Sequence, residues 1–173
     1  MGALSGHFQP SLQLTDLKFA AGFSIWGFRA FATGHQNCPA VVTGCTETFG
    51  PRTPFAAQYL NEFIQTLATA GSKNGRRVIK LSRPGCLNIT ADEISILSAL
   101  YHAQTDESDL VKSHLQWLSG SSDVHLVYHA IMSFACIMIE AGLFIDERDT
   151  HIKPIKTDLT DLVRKGENVR SLH

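Results

Sequence analysis

Apolar residues recur at helical spacing along most of the chain, most densely over residues 16–33. Within that range Lys18, Gly22 and Arg29 share one narrow stripe, and nearly every other position is apolar. Such a pattern is typical of a central helix that is buried on most sides. We therefore predict a first helix over 16–33 that ends at Gly34, because glycine readily adopts the backbone conformation found just beyond a helix.

Proline marks the starts of the next two predicted helices. Pro39 and Pro54 each occupy a first helical position, where the missing N–H group costs nothing. Cys38 then stands at the N-cap of the second helix, which we expect to run to about Phe49. The third helix carries apolar residues on one face and closes at Gly71.

The clearest helix start is the capping box formed by Thr90 and Glu93. In such a box the hydroxyl and the carboxylate each accept a hydrogen bond from a free backbone N–H group of the first turn. A fourth helix follows this start, and a fifth is expected over about 108–118. Asp123 is predicted to cap a sixth, strongly apolar helix that ends near Gly142.

These elements predict an all-α fold, an irregular bundle of about six helices. The exception is one short extended segment near residues 77–82, where the sequence Val-Ile-Lys-Leu is short and β-branched. Residues 1–145 are expected to form a single helical domain. Residues 146–173 are charged and read as a C-terminal tail, partly docked through apolar residues at helical spacing: Ile155, Leu159, Leu162 and Val163.

Composition limits the classes of partner. The chain has 173 residues, of which 44% are hydrophobic, so one core suffices to fold it. A net charge of −1 provides no overall field that would attract nucleic acid or an anionic membrane. Only 18% of residues are charged, against about 25% in average globular proteins. This low fraction fits either a subunit interface or simply a weakly charged monomer.

The sequence predicts neither a signal peptide nor a membrane span. The first residues lack the basic and apolar regions of a signal peptide. The most apolar stretch, 126–139, is interrupted by His129 and Ser133 and falls short of the ~20 residues that a membrane span needs. Four cysteines are too few for a disulfide framework at this length. We therefore expect a cytoplasmic protein with no membrane association.

The first candidate site combines His35 and Cys38, spaced H-x-x-C, with Cys45 and Cys86. Thiolate and imidazole are good zinc ligands. However, on one helix Cys38 and Cys45 are separated by a rise of ~10 Å, too far for one tetrahedral ion. We therefore expect no metal and no other cofactor. Cys38 has a separate possible role, since a helix N-terminus lowers thiol pKa values and His35 is a candidate base.

The second candidate site is a polar stripe on the sixth helix, formed by His125, His129, Cys136 and Glu140. Such a stripe can line a channel or hold a metal ion. The zinc-protease motif H-E-x-x-H is absent, because position 126 is Leu. The simpler interpretation, which we favour, is the solvent-facing or interface side of an otherwise apolar helix.

The third candidate site is a basic cluster without an acidic residue: Lys73, Arg76, Arg77, Lys80 and Arg83. It is a candidate anion-binding patch, to which Arg76, Arg77, Lys80 and Arg83 are assigned. Because no aromatic residue is interleaved, base stacking on single strands is unsupported, and nucleic acid is not an expected partner. A solvated basic loop is the alternative.

Arg29 lies on the most apolar helix and needs a partner, because burying an unpaired guanidinium is costly. Asp92 and Glu93 are the candidate structural partners, and a ligand anion is the alternative. The candidate ligand-binding residues are therefore Arg29, His35, Cys38 and Cys86.

Two stretches resemble an uncharacterised family of small bacterial proteins. The first is Trp26-Gly27-Phe28-Arg29 followed by Phe49-Gly50, and the second is Pro84-Gly85-Cys86 followed by Thr90-x-Asp92-Glu93. The resemblance covers about residues 20–118. It implies an all-helical fold with no assigned activity, and it singles out Arg29, Cys86, Asp92 and Glu93.

The function expected from the sequence is that of a non-enzymatic helical module. It would act by protein–protein contact or by binding a small ligand, for which an anion is a candidate, as a homodimer formed through the first or the sixth helix. The alternative is a thiol- or metal-dependent enzyme or redox sensor built on Cys38, Cys86 and His35.

Overall fold

The computed structural model describes residues 12–73 and 78–151. Its α-helices are α1 (Phe19–Ala32), α2 (Pro39–Phe49), α3 (Thr53–Lys73), α4 (Ala91–Gln104), α5 (Ser108–Ser119) and α6 (His125–Glu140). Short 3-10 turns span Leu14–Asp16, Gly50–Arg52 and Glu147–Thr150. No strand occurs within these ranges, where a single antiparallel bridge joins Gln13 to Asn88. The predicted all-α class is confirmed for this part of the chain.

The core forms where α1 and α3 meet α6. Phe28 of α1 is buried and lies edge-on to Phe63 of α3, with 5.4 Å between ring centroids, and to Phe134 of α6 at 6.0 Å. Edge-to-face packing is the arrangement that aromatic quadrupoles favour. On the other side, α4 packs against both α5 and α6. The apolar pattern of α1 thus places its most buried residues at the centre of the bundle.

The predicted helix starts are largely confirmed. Glu93 donates its backbone N–H to Thr90 Oγ1 at 3.1 Å, and the Glu93 carboxylate accepts the backbone N–H of Thr90 at 2.8 Å. The capping box therefore opens α4 as expected. Cys38 is the N-cap of α2, with Pro39 at the first helical position.

Three predicted boundaries are wrong by a few residues. α3 runs to Lys73 and so passes Gly71, where the third helix was expected to end. α1 begins at Phe19 because the preceding residues form a 3-10 turn over Leu14–Asp16. The N-cap of α6 is Val124, not Asp123, although the Asp123 carboxylate still accepts the backbone N–H of His125 at 3.4 Å.

The predicted count of about six separate helices is matched only in part. α2 passes through the 3-10 turn Gly50–Arg52 directly into α3, so these two predicted helices are not cleanly separated.

The predicted extended segment near residues 77–82 does not form a strand over 78–82, and residue 77 lies outside the described residues. The physical reason is that backbone N–H groups of this segment donate to side-chain carboxylates and not to the carbonyls of another strand. The N–H of Lys80 donates to the Asp92 carboxylate at 2.7 Å, and the N–H of Ser82 donates to the Glu93 carboxylate at 3.0 Å. Side chains of α4 take the place of a neighbouring strand.

The first residues of the predicted C-terminal tail dock on the bundle. The turn Glu147–Thr150 packs on α4, where Ser98 Oγ donates to the carbonyl of Thr150 at 3.3 Å. Lys18 forms an ion pair with Asp146, and hydrogen bonding from Lys18 and Arg148 holds the pKa of Asp146 well below its usual range. The helix predicted around Ile155, Leu159, Leu162 and Val163 lies outside the described residues.

In the part of the chain that the structure describes, no helix combines the length and the apolar character needed to cross a membrane.

Candidate functional site

Arg29 and Glu93 form a buried ion pair between α1 and α4. Arg29 is 1% exposed and Glu93 is fully buried. Arg29 Nε donates to Glu93 Oε1 at 2.7 Å, and Nη2 donates to Oε2 at 3.0 Å, so the contact is bidentate. Paired, planar geometry of this kind gives the strongest charge-assisted hydrogen bonds. The pairing confirms one of the two partners that the sequence proposed for Arg29.

The same guanidinium holds the loop that precedes α4. It donates to the carbonyl of Cys86 and, at 2.8 Å, to the carbonyl of Asn88. Gly85 provides the positive φ of 83° that the turn before Cys86 requires. Arg29 therefore contacts Cys86 through its main chain, and the Cys86 side chain is half-buried.

Asp92 and Thr90 bind the backbone of Lys80, which precedes the loop that Arg29 holds. The Asp92 carboxylate accepts the backbone N–H of Lys80, and Thr90 Oγ1 donates to the carbonyl of Lys80 at 2.6 Å. We call Arg29, Thr90, Asp92 and Glu93 the Arg29 cluster. Its contacts tie residues 80–90 to both helices, which is a structural role. The ligand-binding role suggested for Arg29 stays a prediction.

An apolar groove of about 430 Å³ lies between α1, α3, α4 and residues 78–81, and no residue of the Arg29 cluster lines it. Its lining includes Phe28, Phe63, Leu67, Ile79, Leu81 and Ile96. The volume is within the range of small-molecule clefts, but such clefts also carry a few convergent polar groups. Here the polar lining residues are Gln65 and Ser72. The groove therefore suits an apolar ligand better than an anion.

The predicted anion-binding residues are only partly visible. Lys80 and Arg83 are both exposed, and Arg76 and Arg77 lie outside the described residues, as does the side chain of Lys73. The anion-binding role of this patch stays a prediction.

His35 and Cys38 adjoin at the start of α2. The backbone N–H of Cys38 donates to the carbonyl of His35 at 2.9 Å, while His35 Nδ1 lies 2.8 Å from Thr33 Oγ1. Cys45 is buried, and this burial raises the pKa of its thiol, which keeps it protonated. Over the described residues, no group of three or more His, Cys, Asp or Glu side chains is placed to hold a metal ion.

Two histidines that the sequence analysis did not single out meet between α4 and α5. The rings of His102 and His114 stack with 5.6 Å between centroids. His102 Nδ1 lies 2.6 Å from the Glu107 carboxylate, and His114 Nδ1 lies 3.0 Å from Ser95 Oγ. Ser95 is buried, so this hydroxyl orients His114 instead of presenting a nucleophile to solvent.

Burial and neighbouring groups shift the ionisation of His114 and of Glu107. Burial and the neighbouring His102 lower the pKa of His114, which favours the neutral imidazole. Hydrogen bonds from His102 and Thr105 lower the pKa of Glu107. Periodicity within one helix does not reveal this pair, because His114 reaches it from a different helix than His102.

The polar stripe of α6 is exposed along its length, as the favoured interpretation expected: His125, His129, Cys136 and Glu140 all face solvent. His125 Nε2 and His129 Nε2 lie 3.1 Å apart. Further along, Glu140 pairs with Arg52 of the 3-10 turn before α3 at 3.1 Å.

Aromatic side chains form a partly exposed surface on α1, facing α2. Phe19, Phe23 and Trp26 follow helical spacing, with 5.7 Å between the first two ring centroids and 5.5 Å between the second two. Phe19 is 67% exposed. A Cβ atom on Gly44 of α2 would stand 3.0 Å from the Trp26 ring, so glycine permits this close approach. We call these four residues the aromatic surface; they line a cleft of about 540 Å³.

Comparison with known proteins gives no further assignment: no protein-family model, curated protein or solved structure matches this chain.

Proposed function

We propose that the protein is a non-enzymatic helical module that acts through protein contact, pairing with a second copy of itself through the aromatic surface. The observation that carries the proposal is the stripe of Phe19, Phe23 and Trp26, which the bundle leaves partly uncovered. Contiguous exposed apolar surface of this kind marks interaction sites. Aromatic residues are also enriched at the cores of protein interfaces.

Packing favours α1 over α6 as the pairing helix. In α6 the exposed stripe is polar, apart from single apolar residues such as Leu126. In α1 the incompletely covered stripe is aromatic: Phe19 is 67% exposed, and Phe23 and Trp26 are partly buried. Aromatic rings contribute strongly to interface energetics. A twofold contact places the same patch on both sides, so an uncharged apolar patch is self-complementary. Glu47 of α2 also lines the cleft, so the proposed twofold contact must keep the two Glu47 carboxylates apart or in solvent.

The proposal keeps the organisation expected from the sequence. The module is a bundle of about six helices that acts in the cytoplasm, as a homodimer, without a cofactor and without nucleic acid as a partner. The net charge of −1 supports the last point, because it offers no field for a polyanion. A small ligand in the apolar groove is compatible with this role.

Sedimentation velocity on matched variants tests the pairing surface. Phe19→Glu places a charge on the most exposed ring of the proposed interface, and Leu126→Glu places the same charge on α6. Phe19 and Leu126 are 67% and 68% exposed, so both variants should fold equally well. We expect a dimer for the wild type and for Leu126→Glu at micromolar concentration, and a monomer near 19.0 kDa for Phe19→Glu.

A wild type that sediments as a monomer would reject the pairing. A wild-type dimer that only Leu126→Glu dissociates would move the interface to α6.

The rival function is a thiol- or metal-dependent enzyme or sensor built on Cys38, Cys86 and His35. It has less support, because Cys86 meets Arg29 through its main-chain carbonyl and not through its thiol. Thiol titration at neutral pH distinguishes the two functions. A cysteine that reacts far faster than an unfolded control would favour the rival.

A further inference from the structure

The two exposed histidines of α6 point their outer ring nitrogens at one another. His125 and His129 lie one helical turn apart, with ring centroids 4.4 Å apart and planes inclined by 69°. Their Nε2 atoms are separated by 3.1 Å. Both side chains are exposed, so a small solute reaches the gap between the nitrogens from solvent.

This separation matches the distance between two nitrogen ligands bound to one divalent transition metal ion. Bonds from an imidazole nitrogen to zinc are ~2.0–2.1 Å long. Two such bonds at a tetrahedral angle hold the nitrogens about 3.3 Å apart, and two at a right angle hold them about 2.9 Å apart. The observed 3.1 Å lies between these values. Without a metal, one ring donates its Nε2–H to Nε2 of the other. When the ion binds between the two Nε2 atoms, that proton moves to Nδ1 of its own ring, so both imidazoles bind as neutral ligands.

We propose that His125 and His129 form a two-nitrogen chelating site for a divalent transition cation of the Cu²⁺, Ni²⁺ or Zn²⁺ class. Imidazole suits these ions, and Cu²⁺ binds most tightly in the usual order of affinities. Water fills the remaining coordination positions. The site is independent of the pairing through the aromatic surface and of the H-x-x-C segment at residues 35–38.

The surroundings of the pair are compatible with a cation. The start of a helix carries partial positive charge, which opposes a bound metal. Asp123 offsets this charge, because its carboxylate accepts the backbone N–H of His125 in the same turn. The ammonium of Lys112 lies 5.4 Å from the centroid of the Tyr128 ring, so this positive charge is engaged in a cation–π contact. Cys136 stands seven residues beyond His129, a rise of ~10 Å, and so does not join the same ion.

Isothermal titration with NiCl₂ or ZnCl₂ on the full chain tests the site. The variants His125→Gln and His129→Gln each remove one nitrogen, and His151→Gln removes an exposed imidazole elsewhere. The second imidazole binds as an intramolecular ligand, so we expect either α6 variant to weaken binding on the order of a hundredfold. His151→Gln should bind like the wild type. Circular dichroism melting confirms that each variant is folded.

Electron paramagnetic resonance with one equivalent of Cu²⁺ provides a second readout. The wild type should show hyperfine splitting from two equivalent nitrogens, and each α6 variant should lose it. A one-nitrogen spectrum for the wild type would overturn the proposal. Equal weakening by His151→Gln and His125→Gln would also overturn it, since binding would then be scattered over surface histidines.

Discussion

The buried ion pair between Arg29 and Glu93 predicts an unusually large effect for a single-atom change. In Glu93→Gln an amide nitrogen replaces one carboxylate oxygen, and the negative charge is lost. The carboxylate accepts two hydrogen bonds from Arg29 and one each from the backbone of Ser82 and Thr90. An amide group cannot accept all four, and one of its own donors would face a donor.

The size of the effect follows from burial. Removing one partner of a buried pair leaves an uncompensated charge, which typically costs about 3–5 kcal/mol. Natural domains are stable by only about 5–15 kcal/mol. We therefore expect Glu93→Gln to lose about 3–5 kcal/mol of unfolding free energy, measured by urea denaturation with linear extrapolation.

The same chain offers a matched control for charge. Arg52 and Glu140 form an ion pair at 3.1 Å whose side chains are 44% and 49% exposed. Exposed pairs contribute about 0–1 kcal/mol, so Glu140→Gln should change the unfolding free energy by no more than that. If Glu93→Gln and Glu140→Gln cost the same, burial does not set the strength of the Arg29 contact.

A double variant separates pairing from burial. Arg29→Met with Glu93→Leu replaces both charges by apolar side chains, a change that is often tolerated in protein cores. We expect its loss to be smaller than the sum of the two single losses by about 2 kcal/mol or more. Recovery stays incomplete, because the carbonyls of Cys86 and Asn88 lose their donor. Strictly additive losses would refute the coupling.

Three further predictions concern other parts of the fold. Thr90→Ala should lower the unfolding free energy by ~1 kcal/mol, the usual value of an N-cap hydroxyl, and Thr90→Ser should restore it in the same urea assay. The pKa of His114 is lowered on folding by burial and by His102, so the unfolded chain binds protons more readily. Stability should therefore fall as pH decreases through about 6.5, and His114→Asn should flatten that slope in urea titrations at several pH values. Exposed Cys136 should react with a thiol reagent within minutes, whereas Cys45, buried and with a raised pKa, should react only on unfolding; mass spectrometry of labelled peptides checks both.

Local signals in the sequence predicted the helices well. Pro39, the Thr90 capping box and the glycines after the helices each act on backbone groups a few residues away, so their effect can be read along the chain. The partner of Arg29 was narrowed to Asp92 or Glu93 by the need to neutralise a buried guanidinium. Spacing does not decide between adjacent residues; the orientation of the first turn of α4 does.

Features that depend on tertiary packing were not predictable in the same way. Residues 78–82 carry a β-branched pattern, yet their backbone donors reach Asp92 and Glu93 of α4. Nothing in that segment itself indicates this. The pairing of His102 with His114 depends likewise on how α5 packs against α4. Helical spacing did align His125 with His129, but the 3.1 Å gap between their nitrogens comes from the side-chain rotamers.

The Arg29 cluster also has a consequence for the native-state opening of the chain. The amide protons of Lys80, Ser82 and Thr90 all donate to the carboxylates of Asp92 or Glu93. Opening of the first turn of α4 exposes all three amides at once, although they span eleven positions of irregular chain. In native-state hydrogen exchange they should behave as one cooperative unit, with a common opening free energy shared with the start of α4. An irregular loop would in this way exchange like part of a helix.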